Sequence, residues 1–144
     1  TRTEDTDTAG RAIAALLAEA GHTVVARAIV RDEPAEIGAA LDRWLGSPDV
    51  EAILSTGGTG ISRRDSTIEV VERRLEKRLD GFGELFRMLS YREIGAAAMM
   101  SRACAGLLGG RIVIALPGSE AAVRLAMTTL VVPELAHMVQ QART

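Results

Sequence analysis

The stretch Thr56-Gly57-Gly58-Thr59-Gly60 has the residue types and spacing best suited to chemistry in this chain. Three glycines in five residues let the backbone take positive φ angles and bring its N–H groups close to a ligand. Thr56 and Thr59 add hydroxyl donors, and Arg63 and Arg64 follow with fixed positive charge. Such a composition can cradle a phosphate. It lacks the Gly-Lys-Ser/Thr ending of a Walker loop and the glycine spacing of a dinucleotide fingerprint. A tight structural turn after a strand would use the same residues, so composition alone leaves both readings open.

Two aspartates sharpen the question. Asp65 closes the loop just ahead of an expected helix, and Asp32 holds the same position after the preceding strand, just before Pro34. Either can simply cap its helix and interact with the helix dipole. Emerging at one edge of a sheet, however, two carboxylates facing a phosphate repel it unless a divalent cation lies between. Mg²⁺ is held by one or two carboxylates together with substrate phosphates. The pair therefore points to metal-assisted phosphoryl or nucleotidyl chemistry, with capping as the alternative. Pro117-Gly118-Ser119 offers a further helix N-terminus, able to bind an anion or merely to join strand to helix.

These residues need strands in front of them and helices behind. Glu51 to Ser55 contains a short apolar strand leading into the glycine loop, and Thr23 to Val30, rich in β-branched residues, reads as another. A first helix is expected over Ala9 to Ala20, with Gly21 as its stop. Pro34 opens a second helix, on which Ile37, Leu41, Trp44 and Leu45 share a face. Ser66 and Glu69 have the spacing of a capping box, opening a helix to about Leu79. A short helix is expected over Glu84 to Leu89 and another near Tyr91 to Ala105. Arg111 to Leu116 is the cleanest buried strand, followed by a helix from about Glu120 to Leu130 and a last one near Pro133. Strands alternating with helices predict an α/β fold whose mostly parallel sheet is covered on both faces. Ligands then bind at the carboxyl ends of its strands.

Bulk composition narrows the function classes. The 144 residues show no linker and no repeat, and read as a single domain over residues 1–144. Hydrophobic residues make up 47% and aromatics only 3%, so the core must be built from Ala, Val, Ile and Leu. A net charge of −2 from interspersed charges offers no basic face for nucleic acid. One cysteine, Cys104, and two histidines, His22 and His137, provide neither an internal disulfide nor a zinc set. No apolar run with the length of a membrane span and no signal peptide is visible, so a cytoplasmic protein with no membrane partner is expected. The charged run Glu72 to Asp80 reads as a solvated helix face, Met99 and Met100 as core or interface filler, and Cys104 as a buried structural thiol.

Several motifs in order resemble the MoaB/MogA family of molybdenum-cofactor biosynthesis proteins. Thr56 to Gly60 with Arg64-Asp65-Ser66-Thr67 looks like the family's TGGTG and RD-x-T signature. Gly81-Phe82-Gly83-Glu84 resembles its GFGE stretch, Ser101-Arg102-Ala103-Cys104-Ala105-Gly106 its SRA-x-AG segment, and Pro117-Gly118-Ser119 its PGS turn. Asp7-Thr8-Ala9-Gly10 is similar to the start of its first helix. Residues 86–91 and 93–95 look closer to the MoaB branch.

The resemblance implies a three-layer α/β/α sandwich that assembles as a trimer or hexamer, with molybdopterin and ATP at the carboxyl end of the sheet. It implies Mg²⁺ on Asp32 and Asp65 as catalytic residues, and transfer of AMP from ATP to molybdopterin. Ligand contacts would fall to Thr56, Gly57, Gly58, Thr59 and Gly60, with Arg64, Glu84, Arg102, Gly118 and Ser119 as further candidates. A non-catalytic molybdopterin carrier, or a structural paralogue, is the alternative. Family members also carry a strand and a Ser-Asp turn ahead of the segment that starts here at Thr1, so residues upstream are expected.

Overall fold

The structure is a computed structural model and describes residue 3 and residues 6–144. The chain forms α1 (Thr8–Glu19), α2 (Pro34–Leu45), β1 (Ala52–Thr56), α3 (Thr67–Arg74), β2 (Lys77–Arg78) and α4 (Asp80–Ile94). A 3₁₀ turn (Gly95–Met100) leads to β3 (Cys104–Leu108) and β4 (Arg111–Leu116). Then come α5 (Glu120–Ala126), a π-helical turn (Met127–Val131) and α6 (Val132–Ala142). Local chemistry starts two of the helices as expected. The Asp7 carboxylate accepts from Gly10 N at 2.9 Å, and a proline occupies the first turn of α2.

Among the described residues the sheet has four strands in the order β1-β4-β3-β2. β1 and β4 run parallel, whereas β3 is antiparallel to both β4 and β2. Alternation along β4 sends its side chains to two cores. Ile112, Ile114 and Leu116 pack with α1, α4, α5, the π turn and α6, through Ala12, Ile13, Phe86, Val123, Met127 and Leu135. Val113 faces the other way with Ile53, against Ile37 and Leu41 of α2 and Val70 and Val71 of α3. The architecture is thus a three-layer α/β/α sandwich. Ile114, Leu116, Val123 and Met127 are fully buried, and each such side chain contributes about 1.5–3 kcal/mol relative to exposure.

The sheet is mixed rather than mostly parallel, because the Gly109-Gly110 hairpin and the β2–β3 pairing are both antiparallel. Four further sequence expectations change. Thr23 to Val30 forms no strand and joins no ladder among the described residues. A strand exists through its partners, and β1 gives its paired edge to β4. Between β1 and residues 23–31 lies a groove of about 840 Å³, walled by Ile13 and Leu17 on one side and Ile37 and Leu41 on the other. Second, the two helices expected between Glu84 and Ala105 are one helix, α4, followed by the 3₁₀ turn, and Cys104–Leu108 is a strand. Gly109-Gly110, both at positive φ, makes a two-residue hairpin that folds β3 back on β4. Third, α3 stops at Arg74, because Leu75 turns extended and Lys77–Arg78 pairs with β3.

The fourth concerns length: α5, the π turn and α6 form one 23-residue helical run, Glu120–Ala142. It is long and apolar enough to cross a membrane by length and composition. Here its Val123, Ala126, Met127, Val131 and Leu135 are spent on the core.

Candidate functional site

Because β1 and β4 are parallel, their carboxyl ends open side by side. Gly57 N donates to Leu116 O at 2.9 Å, and the Thr56 hydroxyl donates to Pro117 O at 2.7 Å. The glycine loop and the Pro117–Ser119 turn therefore leave the sheet at one edge, where α/β sheets hold ligands. Gly58, at φ +71°, runs against the start of α3. Its carbonyl accepts from Ile68 N at 3.4 Å.

Both aspartates sit at that start. Asp32 Oδ1 accepts from the Ser66 hydroxyl at 2.7 Å, from Ser66 N at 3.2 Å and from the Thr67 hydroxyl at 3.4 Å. It thus caps α3 from 34 residues away, and the capping box expected from Ser66 and Glu69 does not form. Ser66 makes no side-chain cap of its own, because its hydroxyl is turned to Asp32. Asp65 Oδ2 accepts from Ser62 N at 2.9 Å and closes a turn over residues 62–65. Among the described residues, Asp32 Oδ2 and Asp65 Oδ1 accept no hydrogen bond. Two hard carboxylate oxygens, both at the start of α3 on an open edge, suit Mg²⁺. Among the described residues there is no cluster of three or more His, Cys, Asp or Glu, so water and substrate phosphates would complete such a shell.

The arginines divide into two kinds. Arg63 and Arg64 are exposed, and their guanidinium groups make no hydrogen bond or ion pair among the described residues. Arg102 uses four of its five guanidinium N–H groups: it bonds Gly60 O through Nε at 2.9 Å and Nη2 at 2.6 Å, Asp65 O at 3.2 Å, and Glu69 Oε1 at 2.8 Å. Its own N–H donates to Thr59 O at 2.8 Å. The hydrogen bond from Arg102 is the main reason the Glu69 carboxyl titrates below the ordinary glutamate range.

A lowered folded-state pKa means that the pair stabilises the fold above the unfolded glutamate pKa. The contribution is lost as pH falls through the lower folded value. Both side chains are more than a third exposed, so solvent keeps its size small. A carbon-13 titration of the Glu69 carboxyl should give a midpoint below that of a free glutamate, returning toward it in Arg102→Gln. Coincident curves would show that the pair does not persist in solution.

The remaining candidates are less concentrated. Ser119 Oγ accepts from Ala122 N at 3.2 Å and caps α5, beside Gly118 and next to the Thr56 contact. Glu84 is exposed on α4 and makes no hydrogen bond or ion pair to the loop among the described residues. Cys104 is half-buried at the start of β3, and burial pushes its thiol up to about 11, so it is unreactive at neutral pH. Ser66, Thr67 and Glu69 were not singled out as site residues from sequence. Their signal was hidden because Ser66 and Glu69 also fit a local cap.

Residues 2–137 match the family model described as "Probable molybdopterin binding domain". Molybdenum cofactor biosynthesis protein B of Bacillus anthracis is 51% identical over 139 residues, covering 96% of this chain and 82% of its own length. A crystal structure of a molybdenum cofactor biosynthesis protein B superposes with a TM-score of 0.95 at 49% identity, covering 99% of this chain and 89% of that one. The tungsten cofactor synthesizing protein MoaB from Pyrococcus furiosus does so with a TM-score of 0.88 at 37% identity, covering 96% and 86%. Sequence and fold agree along nearly the full chain, and with its glycine loop and paired aspartates at the sheet's carboxyl edge it belongs to the molybdopterin-binding domain family of molybdenum-cofactor biosynthesis proteins.

Proposed function

We propose that this chain is a molybdopterin adenylyltransferase. A terminal phosphate oxygen of molybdopterin attacks the α-phosphorus of ATP, the bond to the β-phosphate breaks, and pyrophosphate leaves. The observation that carries the reading is the meeting of the Thr56–Gly60 loop with Asp32 and Asp65 at the end of β1. Backbone N–H groups of the loop and the free charges of Arg63 and Arg64 bind and orient the phosphates. Asp32 Oδ2 and Asp65 Oδ1 would hold Mg²⁺. When bound, that ion supplies charge neutralisation on the transferring phosphoryl group. The protein's own share is positioning, which converts an encounter of two anions into a reaction within one complex. A reaction that draws on ATP fits a cytoplasmic setting.

A molybdopterin carrier is the second reading. It is favoured by the structural work both aspartates already do, one capping α3 and the other closing the 62–65 turn. Transfer of labelled AMP from α-labelled ATP to molybdopterin, in the presence of Mg²⁺, decides between them. Adduct formed in step with pyrophosphate supports the enzyme. Pterin bound without adduct leaves the carrier, and binding of neither ligand leaves a structural role.

We also propose that the chain self-associates through α4 and the 3₁₀ turn. Tyr91, Ile94 and Met99 there are 62%, 61% and 80% exposed, with Leu85, Met88 and Met100 beside them. An apolar surface of this kind marks an interaction site. Sedimentation equilibrium should return the mass of a trimer or hexamer, and Met99→Asp should shift it toward the monomer. A wild-type monomer at all concentrations would sink this proposal.

A further inference from the structure

A loop with glycines at positive φ has freedom that must be removed before it can hold a ligand in one geometry. The contacts around Arg102 supply that restraint. Its guanidinium spans the loop: two bonds reach Gly60 O, one reaches Asp65 O at the far side of the 62–65 turn, and one reaches Glu69 in the first turn of α3. The Arg102 backbone adds Thr59 O. The segment carrying Arg102 is itself held from behind, since Arg87 Nη1 donates to Ser101 O at 3.3 Å and to Ala103 O at 3.1 Å. With its charge paired to Glu69 and its donors spent on carbonyls, Arg102 has little left for an anion.

We infer that Arg102 is a positioning residue that clamps the glycine loop and the start of α3, and that ligand phosphates are met by Arg63 and Arg64 instead. The second half rests on the phosphate-binding reading above, whereas the first stands on the apo contacts alone. Both Arg102 and a phosphate-contacting arginine would be lost by Gln. The distinction lies in the ligand-free loop and in rescue by lysine. A lysine keeps the charge that a phosphate needs, yet cannot reproduce the planar fork that reaches Gly60, Asp65 and Glu69 together.

The test is amide hydrogen exchange by NMR on the ligand-free chain, with Mg²⁺–pyrophosphate binding by calorimetry as a separate reading. The amides of Ser62, Asp65 and Ile68 are hydrogen-bonded within the loop and α3, so they report its order. Loss of several charge-assisted bonds should speed their exchange on the order of tenfold or more in both Arg102→Gln and Arg102→Lys, while β4 and α5 amides keep their protection. Arg64→Gln should show the reverse, weakened pyrophosphate binding with an unchanged loop.

Loop exchange as in wild type in Arg102→Gln would overturn the clamp. So would an Arg102→Lys protein with wild-type affinity and wild-type loop exchange. If the Arg102 variants lose protection throughout the molecule, Glu69→Ala, which removes the acceptor altogether, decides: faster exchange confined to the loop and the start of α3 supports the clamp, and no change overturns it. Wild type that fails to bind pyrophosphate would bring down the phosphate-binding reading, and the exchange comparison would still judge Arg102.

Discussion

Asp65→Asn is expected to lower AMP transfer to molybdopterin by about a hundredfold or more, since removing a metal-holding carboxylate forfeits several kcal/mol of transition-state stabilisation. Asparagine is the informative replacement. Its side-chain oxygen can still accept from Ser62 N, so the 62–65 turn survives while the charge goes. Melting temperature and molybdopterin affinity should stay close to wild type, leaving the loss in turnover. Asp32→Ala should behave differently. It removes the cap of α3 as well as a metal oxygen, so a stability loss of about 1 kcal/mol should accompany the loss of turnover. Asp65→Asn that turns over as wild type does would reduce Asp65 to a turn-former and leave the carrier reading standing.

The contrast between the two aspartates shows what a sequence can carry. Their types, and their positions after successive segments, were enough to bring them to one sheet edge. Spacing could not say which oxygen each would spend on structure. Asp32 caps a helix 34 residues further on, and such a contact leaves no local trace.

The same limit explains the strands. Arg111–Leu116 was legible because it is buried on both faces and reads as a continuous apolar run. Cys104–Leu108 was not, since Ala, Gly and Leu fit a helix as readily, and only the Gly109-Gly110 hairpin signal could have decided it. Thr23–Val30 had the composition of a strand, and pairing, which composition does not contain, was what it lacked. Arg102 was placed in the crevice by family resemblance. Its four bonds to the loop and α3 are long-range contacts that emerge only once β3 is laid antiparallel to β4.

Glycine-to-alanine exchanges at two sites should have opposite signs. Gly81 lies at an exposed position in α4 where an added Cβ meets nothing within 4 Å, so Gly81→Ala should stabilise by about 0.5–1 kcal/mol through the lower entropy of the unfolded chain. Gly58 has φ +71°, and its added Cβ would stand 2.3 Å from Thr67 Oγ1 and 3.2 Å from Asp32 Oδ2.

Left-handed backbone strain of about 1–2 kcal/mol and a clash of similar size put the cost of Gly58→Ala at about 2–4 kcal/mol. Thr67 is buried and bonded to Asp32, so it cannot swing away without loosening the cap of α3. The strain therefore passes straight to the carboxylate that the proposed chemistry needs. Chemical denaturation should show the loss in stability. Ligand binding measured below the melting transition should show a separate loss, because the residual folded protein holds Asp32 out of place. If Gly58→Ala were as stable as wild type and bound molybdopterin equally well, the loop would have to be free to move away from α3. The bonds from Arg102 and Asp32 could not then be holding it.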